Sequence, residues 1–112
     1  MPQVDIYNAS SHPMDFISIF KDIENTILLA DSGAGQCKSR GHVTHCAVPS
    51  HVLVSVGLLQ KNHRDKVFMD TLTKKLLQVM SSHVTSDVFI SVNLYFLSPS
   101  YESCFGNATL KS

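Results

Sequence analysis

The chain is poor in charge. Asp, Glu, Lys and Arg make up 16% of its 112 residues, against roughly 25% in a typical soluble domain. So few charges are not enough to cover a lone small domain, and part of its surface is expected to pack against other subunits. Nor is there an excess of either sign. Nine bases against nine acids give zero net charge and a pI near 7.0, which argues against a general nucleic-acid binder or a polybasic membrane module. No apolar run approaches the roughly 18 residues needed to cross a bilayer. The amino terminus also lacks the basic flank and apolar core of a secretory signal. Cysteine is scarce and odd in number: Cys37, Cys46 and Cys104 form no paired framework. That suits a reducing compartment, so the cytoplasm is expected. The Asn-x-Ser/Thr triplets at Asn8 and Asn107 carry little meaning in that setting.

Apolar residues, in contrast, are 44% of the chain, enough to build one core and to exclude wholesale disorder. Gln3 to Asn8 alternates like a strand, with Val4 and Ile6 on one face and Asp5 and Tyr7 on the other. Phe16, Ile19, Phe20, Ile23 and Ile27 recur at steps of three and four, the stripe of an amphipathic helix. Pro13 is expected in its first turn, and Gly33 and Gly35 are expected to close it. Cys37 to Val48 reads as a polar second strand ending before Pro49. Val52 to Leu59 is apolar and β-branched, a buried third strand. Asp65 favours a helix start, and Phe68, Leu72, Leu76, Val79 and Met80 carry that helix to about His83. Val88, Ile90, Val92, Leu94 and Phe96 alternate in a fourth strand, with Phe89, Tyr95 and Leu97 opposite.

The order β-α-β-β-α-β repeats its own pattern. A shift of 50 residues lays Asp15 on Asp65 and one β-α-β unit on the other, giving a pseudo-repeat of 2–50 and 51–98 with a tail over 99–112, all within one domain, 1–112. Parallel crossovers then make an α+β fold: a four-stranded sheet with both helices on one face. Its second face and edge strands are expected to be covered by an oligomer.

Zero net charge conceals a segregation. Met1 to Gly35 holds five acids and one base, and Gln36 to Lys66 holds five bases and one acid. Either these charges are solvated faces, or the middle segment forms a cationic pocket for a small anion. Lys38, Arg40 and His42 share one face of the second strand, and such a row repels itself unless an anion or carboxylate compensates. Arginine can grip a carboxylate through two parallel hydrogen bonds. An edge strand charged against aggregation would look the same. Arg64 follows the third strand, where loops host ligands, although a lone helix-entry arginine is also a common surface residue. A Met1-Pro2 start leaves proline as the mature terminus once methionine is trimmed, and its secondary amine can serve as a general base. No metal is expected. In a strand His42 and His45 point to opposite faces, and no second ligand pair exists. Gly33-Ala34-Gly35 follows a helix and is no phosphate loop, and no nucleophile elbow is legible.

Met1-Pro2 running into a strand, Lys38-Ser39-Arg40-x-His42, Arg64 after an apolar strand and Leu97-x-Pro99 after the last one together resemble the 5-carboxymethyl-2-hydroxymuconate isomerase family of the tautomerase superfamily, with its macrophage migration inhibitory factor-like fold. The resemblance spans nearly the whole chain and rests on order and spacing, since each motif is short. It implies a homotrimer whose sheets enclose a central barrel, with active sites near subunit boundaries. It also implies a cofactor-free isomerase of aromatic catabolism acting on a small unsaturated 2-hydroxy or 2-oxo carboxylic acid. Pro2 falls on the catalytic proline. Lys38, where relatives usually carry arginine, Arg40 and Arg64 fall on basic positions expected to hold substrate carboxylates. Lysine offers a point charge in place of a fork, and the stretch between His42 and Val52 is shorter than in the archetype. A phenylpyruvate-type tautomerase is the near alternative. A ferredoxin-like ligand-binding module without catalysis is the distant one; it predicts antiparallel pairing of the two halves' first strands and a dimer.

Overall fold

The computed structural model describes residues 1–9, 11–85 and 87–106. Strands β1 (Gln3–Ala9), β2 (Lys38–Thr44), β3 (His51–Leu58) and β4 (Phe89–Phe96) and helices α1 (Phe16–Ala30) and α2 (Lys66–Ser81) follow in the order β1-α1-β2-β3-α2-β4. The sheet runs β2-β1-β3-β4, with β1–β2 and β3–β4 parallel and β1–β3 antiparallel at its centre. Each parallel pair is spanned by one helix, as a right-handed crossover requires. Both helices lie on the same face. Val4 and Ile6 of β1 and Val52, Val54 and Val56 of β3 pack with Ile19, Ile23 and Ile27 of α1 and Leu72, Leu76 and Met80 of α2, all essentially inaccessible to solvent. Burying each such side chain contributes about 1.5–3 kcal/mol, so this single layer holds the two halves together.

The helices start where their capping residues place them. Asp15 Oδ1 accepts from Ser18 N at 3.2 Å, and Asp65 Oδ1 accepts from Phe68 N at 2.9 Å. The two caps are the residues that a shift of 50 superimposes. Pro13 lies before the cap of α1, outside the helix. The glycine closure is also displaced. The C-cap of α1 is Asp31, extended at φ −151°, whose N–H bonds to Ile27 O. The left-handed residue is Gly35 at φ +82°, in the turn that feeds β2. β2 stops at Thr44 and not at Val48, because its ladder partner β1 stops at Ala9, paired with Thr44.

Antiparallel pairing of β1 with β3, expected of the ferredoxin-like alternative, occurs here and does not discriminate between the folds. The β1–β2 ladder does. A split β-α-β unit leaves a strand between its two strands, whereas β1 and β2 pair directly from Gln3–Lys38 to Ala9–Thr44.

On the open face, β1 contributes Gln3, Asp5 and Tyr7, and β2 contributes Lys38, Arg40 and His42, paired in that order. Tyr7, Phe89 and Tyr95 leave this face partly apolar and exposed. Gly57 of β3 also belongs to it. The Tyr95 ring and the Leu97 side chain lie where a Cβ at position 57 would stand, at 2.9 and 2.6 Å, so only glycine lets them fold across the sheet.

Candidate active site

Pro2 is buried at the foot of β1. Its carbonyl accepts the backbone N–H of Lys38 at 2.9 Å, which fixes the start of β1 against the start of β2. Beside it opens a cleft of about 480 Å³ walled by Met1, by Gln36, Cys37 and Lys38, and by Ser103, Cys104 and Phe105 of the segment after β4. That segment crosses the open face at the Pro2 end. Gln3 Nε2 donates to the Tyr101 phenol oxygen at 2.6 Å, and Ser103 Oγ donates to the same oxygen at 3.3 Å. The phenol pKa is lowered by the Ser103 and Gln3 hydrogen bonds and by the positive charges of Lys38 and Arg40. Cys37 is no nucleophile in this cleft. Burial, reinforced by the Glu24 carboxylate, raises its thiol to about 11, which keeps it protonated and unreactive near neutrality. Glu24 Oε2 meanwhile accepts the Cys37 backbone N–H at 2.8 Å.

Lys38 makes no ion pair among the described residues, and its side chain reaches the cleft. Arg40, two residues along the same face, meets Asp5 through a two-pronged contact: Nε to Oδ1 at 2.8 Å and Nη2 to Oδ2 at 3.0 Å. His42 Nε2 lies 2.8 Å from Asp5 Oδ1, and its ring stacks on Tyr7 with centroids 4.5 Å apart. The Arg40 hydrogen bonds, with help from His42, hold the Asp5 carboxyl at about 2. The Nη1 edge of Arg40 makes no hydrogen bond among the described residues.

Arg64 stands differently. Its Nε and Nη2 both donate to Asp31 Oδ2, at 3.0 and 2.8 Å, and its Nη1 donates to Leu59 O at 2.7 Å. His63 Nε2 adds a contact to the same Asp31 oxygen at 2.7 Å. The His63 hydrogen bond, followed by those from Arg64 and the Gly33 N–H, lowers the Asp31 carboxyl to about 2. The carboxylate that Arg64 meets is the C-cap of α1, and Arg64 is not among the residues that line the cleft.

The structure thus joins the backbones of Pro2 and Lys38, sets Arg40 beside Lys38 on the open face, and ties Arg64 to Asp31 and Leu59; neither Pro2 nor Arg40 is among the residues that wall the cleft. Sequence reasoning missed Asp5, Asp31, Gln3 and Tyr101. The signal for the two aspartates was present in the charge segregation. The acidic first third and the basic middle pair with each other, Asp5 with Arg40 and His42, and Asp31 with His63 and Arg64. Asp22 adds a longer link to His83 at 2.6 Å. Nothing in the alternation of 89–97 foretells Tyr101, which lies beyond the last strand. Among the described residues no three His, Cys, Asp or Glu side chains gather to hold a metal ion. In the same residues no helix is long and apolar enough to cross a membrane.

No protein-family model matches the chain, and no curated protein matches it in sequence. Its fold, however, is tautomerase-like. A 5-carboxymethyl-2-hydroxymuconate isomerase from Deinococcus radiodurans R1 superposes with a TM-score of 0.72 at 14% identity, covering 91% of this chain and 88% of that one. A 5-carboxymethyl-2-hydroxymuconate delta-isomerase gives 0.63 at 12% identity over 96% and 89%. A fused 4-OT wild-type symmetric trimer gives 0.65 at 16% identity over 96% and 94%. The expected architecture, a mixed four-stranded sheet backed by two helices, is the one shared with these structures.

Proposed function

We propose that this protein is a cofactor-free isomerase that moves a proton within a small unsaturated 2-hydroxy or 2-oxo carboxylic acid, with Pro2 as the base. The observation that carries this reading is the position of Pro2. It is buried, tied to Lys38 through its own carbonyl, and next to a cleft that Met1 helps to wall. With Met1 removed, the Pro2 nitrogen becomes a secondary amine, and this reading directs it toward that space. An unprotonated amine held in place is a competent general base.

The reaction balances without an oxidant. The Pro2 amine takes the proton from a dienol hydroxyl or an activated carbon. The electron pair left behind shifts through the conjugated system, and the Pro2 ammonium returns the proton to another carbon. Lys38 and the free edge of Arg40 hold the carboxylate and stabilise the negative charge that builds on the enolate oxygen. Arg64 positions the loop between β3 and α2 and takes no part in binding. The open face, with Tyr7, Phe89 and Tyr95 exposed, supports assembly as a homotrimer through sheet packing. The three thiols, none bonded to another in the described residues, support a cytoplasmic setting.

The test compares two preparations, one trimmed to Pro2 and one retaining Met1, each verified by intact mass. They are assayed with an unsaturated 2-hydroxy diacid and with an aromatic 2-oxo acid. The trimmed form is expected to turn over the diacid, and the form that retains Met1 to lose about 10²–10⁴-fold in kcat, the usual contribution of a positioned base. Equal turnover by both forms overturns the mechanism. Faster turnover of the aromatic acid reassigns the substrate to the phenylpyruvate type.

A further inference from the structure

A second cavity, of about 170 Å³, lies at the end of β1 away from Pro2, between the loop into α1, the start of β3 and the segment after α2, and Asn8 is one of its lining residues. Strand parity puts Asn8 on the helix side of the sheet with Val4 and Ile6, and it is only 2% exposed. Its Nδ2 donates to His12 O. That bond fixes which way the amide is turned, because the reverse would set two carbonyl oxygens against each other. Oδ1 then accepts no hydrogen bond among the described residues. A buried acceptor without a donor is rare and costly, so it points to a group that comes to the cavity from outside.

The surroundings favour a positive charge on that group. Among the described residues no lysine or arginine lines the cavity. Two of its lining residues instead bring aspartates: His83 Nε2 lies 2.6 Å from Asp22 Oδ2, and Thr85 Oγ1 donates to Asp87 Oδ1 at 2.6 Å. His12, also on the wall, meets only a hydroxyl, Ser50 Oγ, at 3.3 Å. The lining segment that begins at His83 follows the carboxyl end of α2, the negative end of its dipole, and the last turn of that helix holds no basic residue. Val84 and Val88 make part of the wall apolar.

We propose that this cavity binds a small primary ammonium, whose N–H donates to Asn8 Oδ1 and whose short alkyl group rests on Val84 and Val88. The volume is well above the roughly 10–15 Å³ that one water needs, so there is room for the carbon chain. The site does not depend on Pro2 being a base.

The test follows amide and methyl NMR spectra of the whole chain at pH 8, where ordinary imidazole is uncharged. Ethylammonium chloride is the probe; ethanol, a neutral donor, and tetramethylammonium chloride, a cation with no N–H, are compared at matched ionic strength. Ethylammonium is expected to saturate with a Kd of about 1–10 mM, within the ceiling for a ligand of so few atoms, and to give intermolecular NOEs to the methyls of Val84 and Val88. Each comparison compound should bind about tenfold more weakly or worse, and Asn8→Leu, which removes the acceptor at similar volume, should weaken ethylammonium to the same degree. Should that variant fail to fold, the NOEs in the unaltered protein decide. Shifts that never saturate, or NOEs confined to other residues, overturn the proposal and leave the cavity to water. Equal binding of ethanol or of tetramethylammonium overturns the assignment to an ammonium donor. Unchanged affinity in folded Asn8→Leu overturns the role of Oδ1 and the proposal with it.

Discussion

Two clusters in this fold are made from the same parts, an aspartate gripping an arginine and a histidine, yet they sit in opposite surroundings. In one, the Arg40 side chain is 44% exposed on the open sheet face against Asp5; in the other, the Arg64 side chain is 3% exposed against Asp31. Both aspartates are held at about 2, so the strength of the carboxylate's partners does not separate them. Burial does. An arginine that keeps an unpaired edge in solvent can still take a ligand carboxylate, while one sealed between a helix cap and a carbonyl can only hold its loop. Residue type and charge define the pair, and only the third dimension sorts an exposed cation from a sealed one.

The contrast is sharpest when each arginine is removed. Arg64→Met leaves the nearly buried Asp31 carboxylate without its main cation, and a loss of about 3–5 kcal/mol in urea unfolding is expected, the range for breaking a buried pair. A loss below about 1 kcal/mol would erase the distinction. Arg40→Met is expected to cost at most about 1 kcal/mol, because solvent and ions compensate an exposed pair. The same change should weaken the inhibition constant of an unreactive dicarboxylate by roughly tenfold, the effect of losing one charge-assisted contact. Arg64 should instead be felt through stability.

The smallest effects concern medium rather than mutation. A carboxyl whose folded pKa lies near 2, against an ordinary 3.8, adds stability that is fully present above about pH 4 and is lost as pH falls toward 2. Both clusters should fade in that same window, visible as carboxyl titrations in ¹³C NMR, with Asp5→Asn and Asp31→Asn each removing one of them. Salt should tell them apart. At 1 M the screening length is about 3 Å, so the coupling measured for Asp5–Arg40 in a double-mutant cycle should shrink while that of Asp31–Arg64 holds.

Much of the fold was legible in the sequence, because each element carries its own period. The Ile19–Ile23–Ile27 stripe and the β-branched run of β3 had one reasonable reading, and Asp65 marked its helix by local chemistry. The strand and helix ends were less legible, since they are set by partners. β2 stops because β1 does, and α1 closes on Asp31 because His63 and Arg64 come from 32 and 33 residues away to hold that carboxylate. The candidate site divides in the same way. Pro2 and Lys38 stand out as candidates from position and strand parity alone. The state of Arg40 and Arg64 could not, because whether a cation is available or already occupied depends on contacts between distant segments. Tyr101 was invisible for a similar reason: its hydrogen bond from Gln3 spans 98 residues.

Met1 on one side of the cleft and Ser103 to Phe105 on the other mean that the first residue and the segment after β4 share one small chamber. The amino terminus is then no neutral place to hang a purification tag. An extension ahead of Met1 crowds one wall of that chamber, and a truncation just past β4 removes the opposite wall. Inactivity seen in a tagged or shortened preparation would report on the handle, not on the protein.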